Sequence, residues 1–171
     1  MKLAKVFKEN KQFTLFSILA LVVVGVAVFA PQIAPYDPLD AVMLESLQAP
    51  SSAHLFGTDK LGRDLLSRVI FGTRTSLIMT LCLVAVIFVI GTFLGVIAGY
   101  FGGIVDGVIM RIADMMISFP GLVLAIAIAG MLGPNLVNAV ISIAAVSWTK
   151  YARLARSMVP VSYTHLTLPT K

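Results

Sequence analysis

The sequence has few of the residues that build disulfide frameworks or metal sites. Its one cysteine, Cys82, has no partner for an internal disulfide and lies in an apolar run, where it is expected to be a small buried or lipid-facing hydrophobe. Its two histidines, His54 and His165, stand far apart and are expected to be solvated loop residues rather than zinc ligands. No cofactor and no metal site are therefore expected.

Charge is scarce as well. Only 12% of the 171 residues are charged and 58% are hydrophobic, against roughly 25% and 45–50% in a soluble domain. The thirteen Lys and Arg fall in short clusters beside long uncharged runs, as expected where a bilayer excludes charge. The net charge of +5 comes without a basic stripe interleaved with aromatic residues, which disfavours nucleic-acid binding. The sequence predicts an all-α, polytopic membrane protein.

A phosphate-binding loop of the form GxxxxGK[ST] is also missing from the sequence. That loop cradles the phosphates of ATP in many nucleotide hydrolases. We therefore expect any ATP hydrolysis that serves this protein to occur on another polypeptide, and the chain itself is not expected to be an enzyme.

Four segments are predicted to lie in the membrane. The first spans about eighteen residues, or about 27 Å as a helix, close to one hydrocarbon thickness. Its last small residue is followed by Pro31, so we interpret it as an uncleaved anchor. A polar linker then leads to a short amphipathic helix after Gly57, expected at the membrane surface. The predicted membrane segments are residues 13–30, 77–98, 104–132 and 136–148.

The distribution of cationic residues predicts the orientation. With a cytoplasmic N-terminus, eight Lys and Arg of the clusters lie inside and four lie outside, which satisfies the positive-inside rule. The inner residues are Lys2, Lys5, Lys8, Lys11, Arg111, Lys150, Arg153 and Arg156, and the outer ones are Lys60, Arg63, Arg68 and Arg74.

Three glycines in the second predicted span are spaced four residues apart. Gly91, Gly95 and Gly99 share one helix face, and small residues allow close backbone approach where lipid gives apolar side chains little reason to associate. A helix-packing role is the favoured interpretation. The alternative is that glycine is common in membrane helices generally.

Three residues of the predicted third helix are candidates for gating at the inner interface. Arg111 and Asp114 lie three apart on one side of a helix, so they are either a functional pair or a mutual pair that lowers the cost of burial. Pro120 is either a hinge for alternating access or an accommodation of helix curvature.

A charged motif between the first two spans is the strongest signal in the sequence. The segment GTDKLGRDLLSR, residues 57–68, is followed by FGTRTSL, residues 71–77. The charged side chains either contact a partner or gate the outer mouth, or they fix the loop through caps and ion pairs, including an Asp64–Arg68 helical pair. The motif residues are Gly57, Thr58, Asp59, Gly62, Arg63, Asp64, Ser67 and Arg68.

This motif resembles the GTDxxGRDxxSRxxxGxRxSL signature of the dipeptide, oligopeptide and nickel ABC importer permeases, in particular the C-type subunit. The resemblance continues to about residue 159, through Ser118-Phe119-Pro120 and Tyr151-Ala152-Arg153. It implies a six-span permease of a bacterial or archaeal cytoplasmic membrane. The implied protein partners are a second permease subunit, cytoplasmic ATPase subunits and an extracytoplasmic solute-binding protein. Membrane lipid would surround the helices of the chain.

The resemblance implies transport of a peptide, nickel or a related small solute, without indicating which. A secondary transporter and a non-transporting membrane scaffold are the alternatives, and absent midplane charges disfavour the first of these.

Three regions are expected along the chain. Residues 1–56 would form the N-terminal permease region, residues 57–159 a truncated transmembrane domain, and residues 160–171 an unrelated tail. Two prolines and a run of Thr, Ser and Val in that tail oppose continuation of a helix. The chain is expected to end before the ATPase-docking loop of the family and so to be unable to couple to an ATPase.

Overall fold

The computed structural model describes residues 10–166, and the side chains of residues 10–159. The described residues form six α-helices and one short 3-10 turn, with no β-strand among them. The prediction of an all-α protein is therefore confirmed. The chain divides into two compact units, Met1–Ile78 and Met79–Lys171, which are described separately.

The first unit begins with the helix α1, Lys11–Val28. It carries no charge after its first residue and is apolar enough to cross a membrane. A short helix α2, Ala30–Ile33, follows at once with Pro31 in its first turn, where a proline's missing N–H costs no hydrogen bond. The 3-10 turn Met43–Glu45 lies in the linker that follows.

A long helix α3, Leu65–Phe101, begins in the first unit and continues into the second. The separate amphipathic surface helix predicted after Gly57 is therefore wrong, because residues 57–64 form a loop and the residues after them are the first turns of α3. Gly57 and Gly62 both have a φ of 74° in that loop, which prevents a helix there.

The second unit contains the end of α3 and three further helices. These are α4, Gly103–Ser118, α5, Gly121–Leu132, and α6, Leu136–Leu166. Both α4 and α5 pack against α6. Gly102 and Gly133, with φ angles of 60° and 91°, form the turns on either side of the α4–α5 pair.

The predicted single third helix is broken rather than kinked. Helices α4 and α5 meet at 93°. Phe119 is extended, with a ψ of 146°, because the ring of Pro120 excludes the helical conformation from the residue before it. The predicted position of the irregularity, at Pro120, is correct, but the angle between the two helices is larger than the predicted kink.

Helix α6 is longer than predicted. The Oδ1 atom of Asn135 accepts a hydrogen bond of 2.9 Å from the N–H of Val137, which caps the start of the helix. The helix continues past Pro160 to Leu166, so the expectation that it would stop at Pro160 is wrong. A proline removes one hydrogen bond and bends a helix, and the turns on either side can still form.

Length and composition single out the described helices that could cross a membrane. Within residues 10–166, α1 and α3 are long and apolar enough to cross, and α4 with α5 qualifies as one bent span. Helix α6 does not qualify, because its apolar part, residues 136–148, is only about 20 Å long.

Candidate functional site

The motif of residues 57–68, called here the signature loop, is organised around one carboxylate. The Oδ1 atom of Asp59 accepts hydrogen bonds from the N–H groups of Leu61, at 2.8 Å, and Arg63, at 3.1 Å. Its Oδ2 atom accepts from the Nε of Arg63 at 2.9 Å and also pairs with the guanidinium of Arg68. Asp59 therefore holds the loop and the first turn of α3 together.

The donors around Asp59 change its acidity. The side-chain hydrogen bond from Arg63 lowers the pKa of Asp59 to about 2, and it outweighs the partial desolvation of the carboxylate, which acts in the opposite direction. The backbone N–H groups of Leu61 and Arg63 add to the lowering. The carboxylate is therefore ionised across the physiological range of pH.

Asp64 caps the start of α3. Its Oδ2 atom accepts hydrogen bonds of 2.7 Å from both the N–H and the hydroxyl of Ser67, three residues into the helix. The same Ser67 hydroxyl accepts a bond of 3.1 Å from the N–H of Tyr36, so it connects the cap to the linker. Burial alone would raise the pKa of Asp64, but the hydrogen bonds from Ser67 and from His54 outweigh it, and the pKa is lower than usual.

His54 is the largest correction to the sequence interpretation of this region. It is 6% exposed rather than solvated. Its Nδ1 atom lies 3.0 Å from the Oδ1 of Asp64, its Nε2 atom lies 3.3 Å from the Oε2 of Glu45, and its ring packs 4.9 Å from the ring of Tyr36. The histidine therefore bridges two carboxylates from different parts of the linker and loop. Composition could not reveal this, because both partners are about ten residues away in sequence.

Backbone contacts explain two of the motif's glycines. A Cβ atom at Gly62 would lie 1.8 Å from the carbonyl oxygen of Val42, and one at Gly57 would lie 2.3 Å from that of Gln48. Thr58 holds the same segment of the linker in place. Its hydroxyl accepts a hydrogen bond of 2.9 Å from the N–H of Gln48 and donates one to the carbonyl of Glu45. The glycines allow this close approach of two backbone segments.

The predicted ion pair within the loop differs from the observed one. The side chain of Arg68 contacts Asp59, not Asp64, because Asp64 is already committed to His54 and Ser67. Both carboxylates of the signature loop are thus satisfied within the first unit. Within residues 10–166, no group of three His, Cys, Asp or Glu side chains is placed to hold a metal ion.

In the second unit, the three glycines of α3 lie against α6. A Cβ atom at Gly95 would lie 2.2 Å from the carbonyl oxygen of Ala152. A Cβ atom at Gly91 would lie 2.6 Å from the Cβ of Tyr151, and one at Gly99 would lie 2.8 Å from the Cβ of Val159. The two backbones approach each other where α3 has no side chains.

These contacts also give the relative direction of the two helices. Contacts move forward along α6 as they move forward along α3, so the helices are parallel. Leu136 begins α6 twelve residues, or about 18 Å, before the level at which Trp148 meets Gly91. The α4–α5 pair therefore returns the chain toward the other end of α3, which favours a broken membrane span over a re-entrant loop.

Two ion pairs join α4 to α6. The guanidinium of Arg156 contacts the carboxylate of Asp106, and the guanidinium of Arg153 contacts that of Asp114. The predicted pair of Arg111 with Asp114 is therefore wrong: Asp114 reaches across to the neighbouring helix, and Arg111 has no ion pair among the described residues. A spacing of three predicts contact within a helix, and it cannot reveal a stronger partner on another helix.

A cavity of about 420 Å³ lies beside the break between α4 and α5. Pro120 itself does not line the cavity, but its neighbours Phe119 and Gly121 do. The opposite wall comes from the stretch of α6 that includes Ser147 and Lys150. The cavity is bounded on all these sides by elements of the second unit.

The fold and these sites define a polytopic helical membrane protein with a folded polar loop between its first two long helices. Residues 91–160 match the family described as the binding-protein-dependent transport system inner membrane component. Residues 2–50 match the N-terminal transmembrane domain of oligopeptide transport permease C. The chain belongs to this family of inner membrane transport components.

Individual relatives are similar over most of the chain. A dipeptide transport system permease protein of Haemophilus influenzae is 40% identical over 157 residues, which are 88% of this chain and 53% of the relative. A probable D,D-dipeptide transport system permease protein of Escherichia coli is 40% identical over 167 residues, 96% of this chain and 56% of the relative. A nickel transport system permease protein of Escherichia coli is 41% identical over 125 residues, which are 73% of this chain and 45% of the relative. The chain thus spans about half the length of the curated relatives it matches, and these relatives are transport permeases rather than enzymes.

Proposed function

We propose that this protein is the membrane-spanning permease subunit of an ATP-driven importer for a peptide, nickel or a related small solute. The observation that carries the proposal is the family match over residues 91–160. That stretch contains the glycine face of α3, the break at Pro120 and both ion pairs between α4 and α6.

The sites have separate roles in this proposal. The signature loop is a structural element that fixes the linker on the start of α3, since Asp59 and Asp64 direct their oxygens at groups within the loop and linker. The face of Gly91, Gly95 and Gly99 is the packing surface that holds α3 against α6. Asp114 and Pro120 shape the junction of α4, α5 and α6, and Arg111 is available to contact lipid or a partner at the same end of α4.

The proposed partners follow from the family. Energy would come from separate cytoplasmic ATPase subunits, solute from an extracytoplasmic binding protein, and the pathway would be completed by a second permease subunit. The chain would lie in a cytoplasmic membrane with its N-terminus inside, as the positive-inside rule predicts.

A chimera tests the proposal. Residues 10–159 of this chain would replace the matching part of the Escherichia coli nickel permease in cells that lack that permease, and of the Haemophilus influenzae dipeptide permease in a second strain. We expect uptake of the corresponding solute in at least one strain. Uptake should disappear when the phosphate-loop lysine of the partner ATPase is substituted.

The controls separate the alternatives. The same chimera with Gly95→Leu should reach the membrane in smaller amount or fail to transport, because a side chain there meets backbone of α6. Uptake that persists with the inactive ATPase would indicate a secondary transporter. Membrane insertion and assembly without uptake in either strain would indicate a scaffold. Either outcome, uptake without an active ATPase or assembly without uptake, would contradict the proposal.

A further inference from the structure

The cavity beside the α4–α5 break has a mixed lining that suits an amphiphile. Its volume of about 420 Å³ falls in the range of roughly 300–1,000 Å³ typical of small-molecule sites. Most of its lining is apolar, and none of the lining side chains is acidic. Apolar lining residues include Met116, Ile117, Phe119, Leu122, Ile143 and Val146.

One cation stands at the polar end of this lining. Lys150 lines the cavity and has no ion pair with any described residue, in contrast to Arg153 one turn later, which pairs with Asp114. The hydroxyl of Ser147, one turn before Lys150, also lines the cavity and is without a hydrogen-bond partner in the described part of the chain. An anionic group with several acceptor oxygens would satisfy both.

The cavity is open to the apolar surface of the protein. Leu122 and Phe119, which line it, are 74% and 61% exposed. The apolar part of α6 ends near Trp148, and Lys150 follows two residues later, an arrangement typical of the boundary between hydrocarbon and headgroups. A bound molecule would thus have its charge at headgroup level and its apolar part at membrane depth.

We propose that this cavity is a binding site for an anionic membrane phospholipid. Its headgroup phosphate would meet Lys150 and Ser147, and part of an acyl chain would fill the space between α6 and the broken helix pair. The charge complementarity with a single uncompensated lysine selects an anionic lipid over a zwitterionic one. The bound lipid would occupy the volume that the right-angle bend at Pro120 opens beside α6.

The only tryptophan of the chain allows a direct test. Trp148 does not itself line the cavity, but its neighbours in sequence, Ser147 and Thr149, both do. The full 171-residue chain would be placed in phosphatidylcholine vesicles containing a minor fraction of either brominated phosphatidylglycerol or brominated phosphatidylcholine. Bromine on the acyl chains quenches nearby tryptophan, and the two variants described below separate binding at the cavity from general enrichment of anionic lipid around a chain of net charge +5. We expect an apparent affinity about fivefold higher for phosphatidylglycerol, the effect of one cation near an anionic lipid.

Two variants locate the site. Lys150→Gln should abolish the preference for phosphatidylglycerol while circular dichroism shows an unchanged helix content, since the side chain is exposed. Arg111→Gln is the matched control, because Arg111 is also exposed and unpaired among the described residues but does not line the cavity. It should keep the preference.

Three results would overturn the proposal. Equal loss in both variants would mean diffuse surface charge instead of a site. No preference in the unsubstituted chain would mean that the cavity takes no anionic lipid. Relief of quenching by a free acidic dipeptide would mean that the cavity binds soluble solute. These readouts need no ATPase or transport activity, so they stand apart from the test of the proposed function.

Discussion

The closest helix contact gives the sharpest stability prediction. A Cβ at Gly95 would lie 2.2 Å from the carbonyl oxygen of Ala152, far inside the roughly 3.5 Å at which two heavy atoms attract best. No rotamer change can relieve a clash with backbone, so α3 and α6 must separate by about 1 Å. We expect overpacking to cost about 2–3 kcal/mol in Gly95→Ala, offset by about 1 kcal/mol that alanine gains within a helix. The net loss in free energy of unfolding is then about 1–2 kcal/mol.

The control for this prediction is Gly130→Ala. Gly130 lies in α5 and a Cβ there would meet nothing within 4 Å, so only the helix gain of about 1 kcal/mol remains. Unfolding would be followed in mild detergent by titration with sodium dodecyl sulfate, using circular dichroism and the fluorescence of Trp148, whose carbonyl lies 2.8 Å from a Cβ built at Gly91. If Gly95→Ala were as stable as Gly130→Ala, the close approach of α3 and α6 would be refuted.

Three further predictions concern the polar contacts. Asp59→Asn should speed amide hydrogen exchange across the signature loop. In the unsubstituted chain, the stabilisation by Asp59 is complete above its unfolded pKa near 3.8 and is lost as the pH falls toward about 2. Protection factors of the loop amides, corrected for the intrinsic exchange rate, that are equal at pH 3 and pH 7 would contradict this. His54→Leu should weaken the same loop by about 1–3 kcal/mol, since the buried Asp64 loses a partner; exchange rates equal to those of the unsubstituted chain would count against it. Asp106→Asn and Arg156→Gln should each destabilise the second unit. In a double-mutant cycle measured by detergent titration, we expect a coupling free energy of about 0.5–1 kcal/mol between them. Additive losses of stability would show that the ion pair contributes nothing.

Composition and local spacing were sufficient for the features that depend on neighbouring residues. The apolar run from residue 77 to residue 98 lies within α3, and the break at Pro120 is where the sequence predicts an irregularity. The spacing of Gly91, Gly95 and Gly99 predicts a common face because helical periodicity alone sets it. Their proposed role in packing stays a prediction, and the geometry supplies the helix against which it can be tested.

Features that depend on distant residues could not be found this way. An isolated histidine is usually solvated, and only the chain path around the linker brings Glu45 and Asp64 to the two sides of His54. In the same way, Arg111 is the nearest cation to Asp114 within a helix, but Arg153 is nearer in space. The sequence predicts a separate surface helix ahead of α3 because an amphipathic turn and the first turn of a long apolar helix have similar residue patterns.

The internal pairing of the signature loop affects how genetics on this protein should be interpreted. Neither Asp59 nor Asp64 has spare capacity to recognise anything outside, so an inactive variant at either position would report a misshapen linker before a lost docking contact. Several of the side chains that do face outward nearby are large and hydrophobic: Leu44 is 96% exposed, Leu55 is 62% exposed and Phe56 is 55% exposed. A search for a binding partner of this part of the protein should therefore begin with these exposed hydrophobic side chains rather than with the two paired carboxylates.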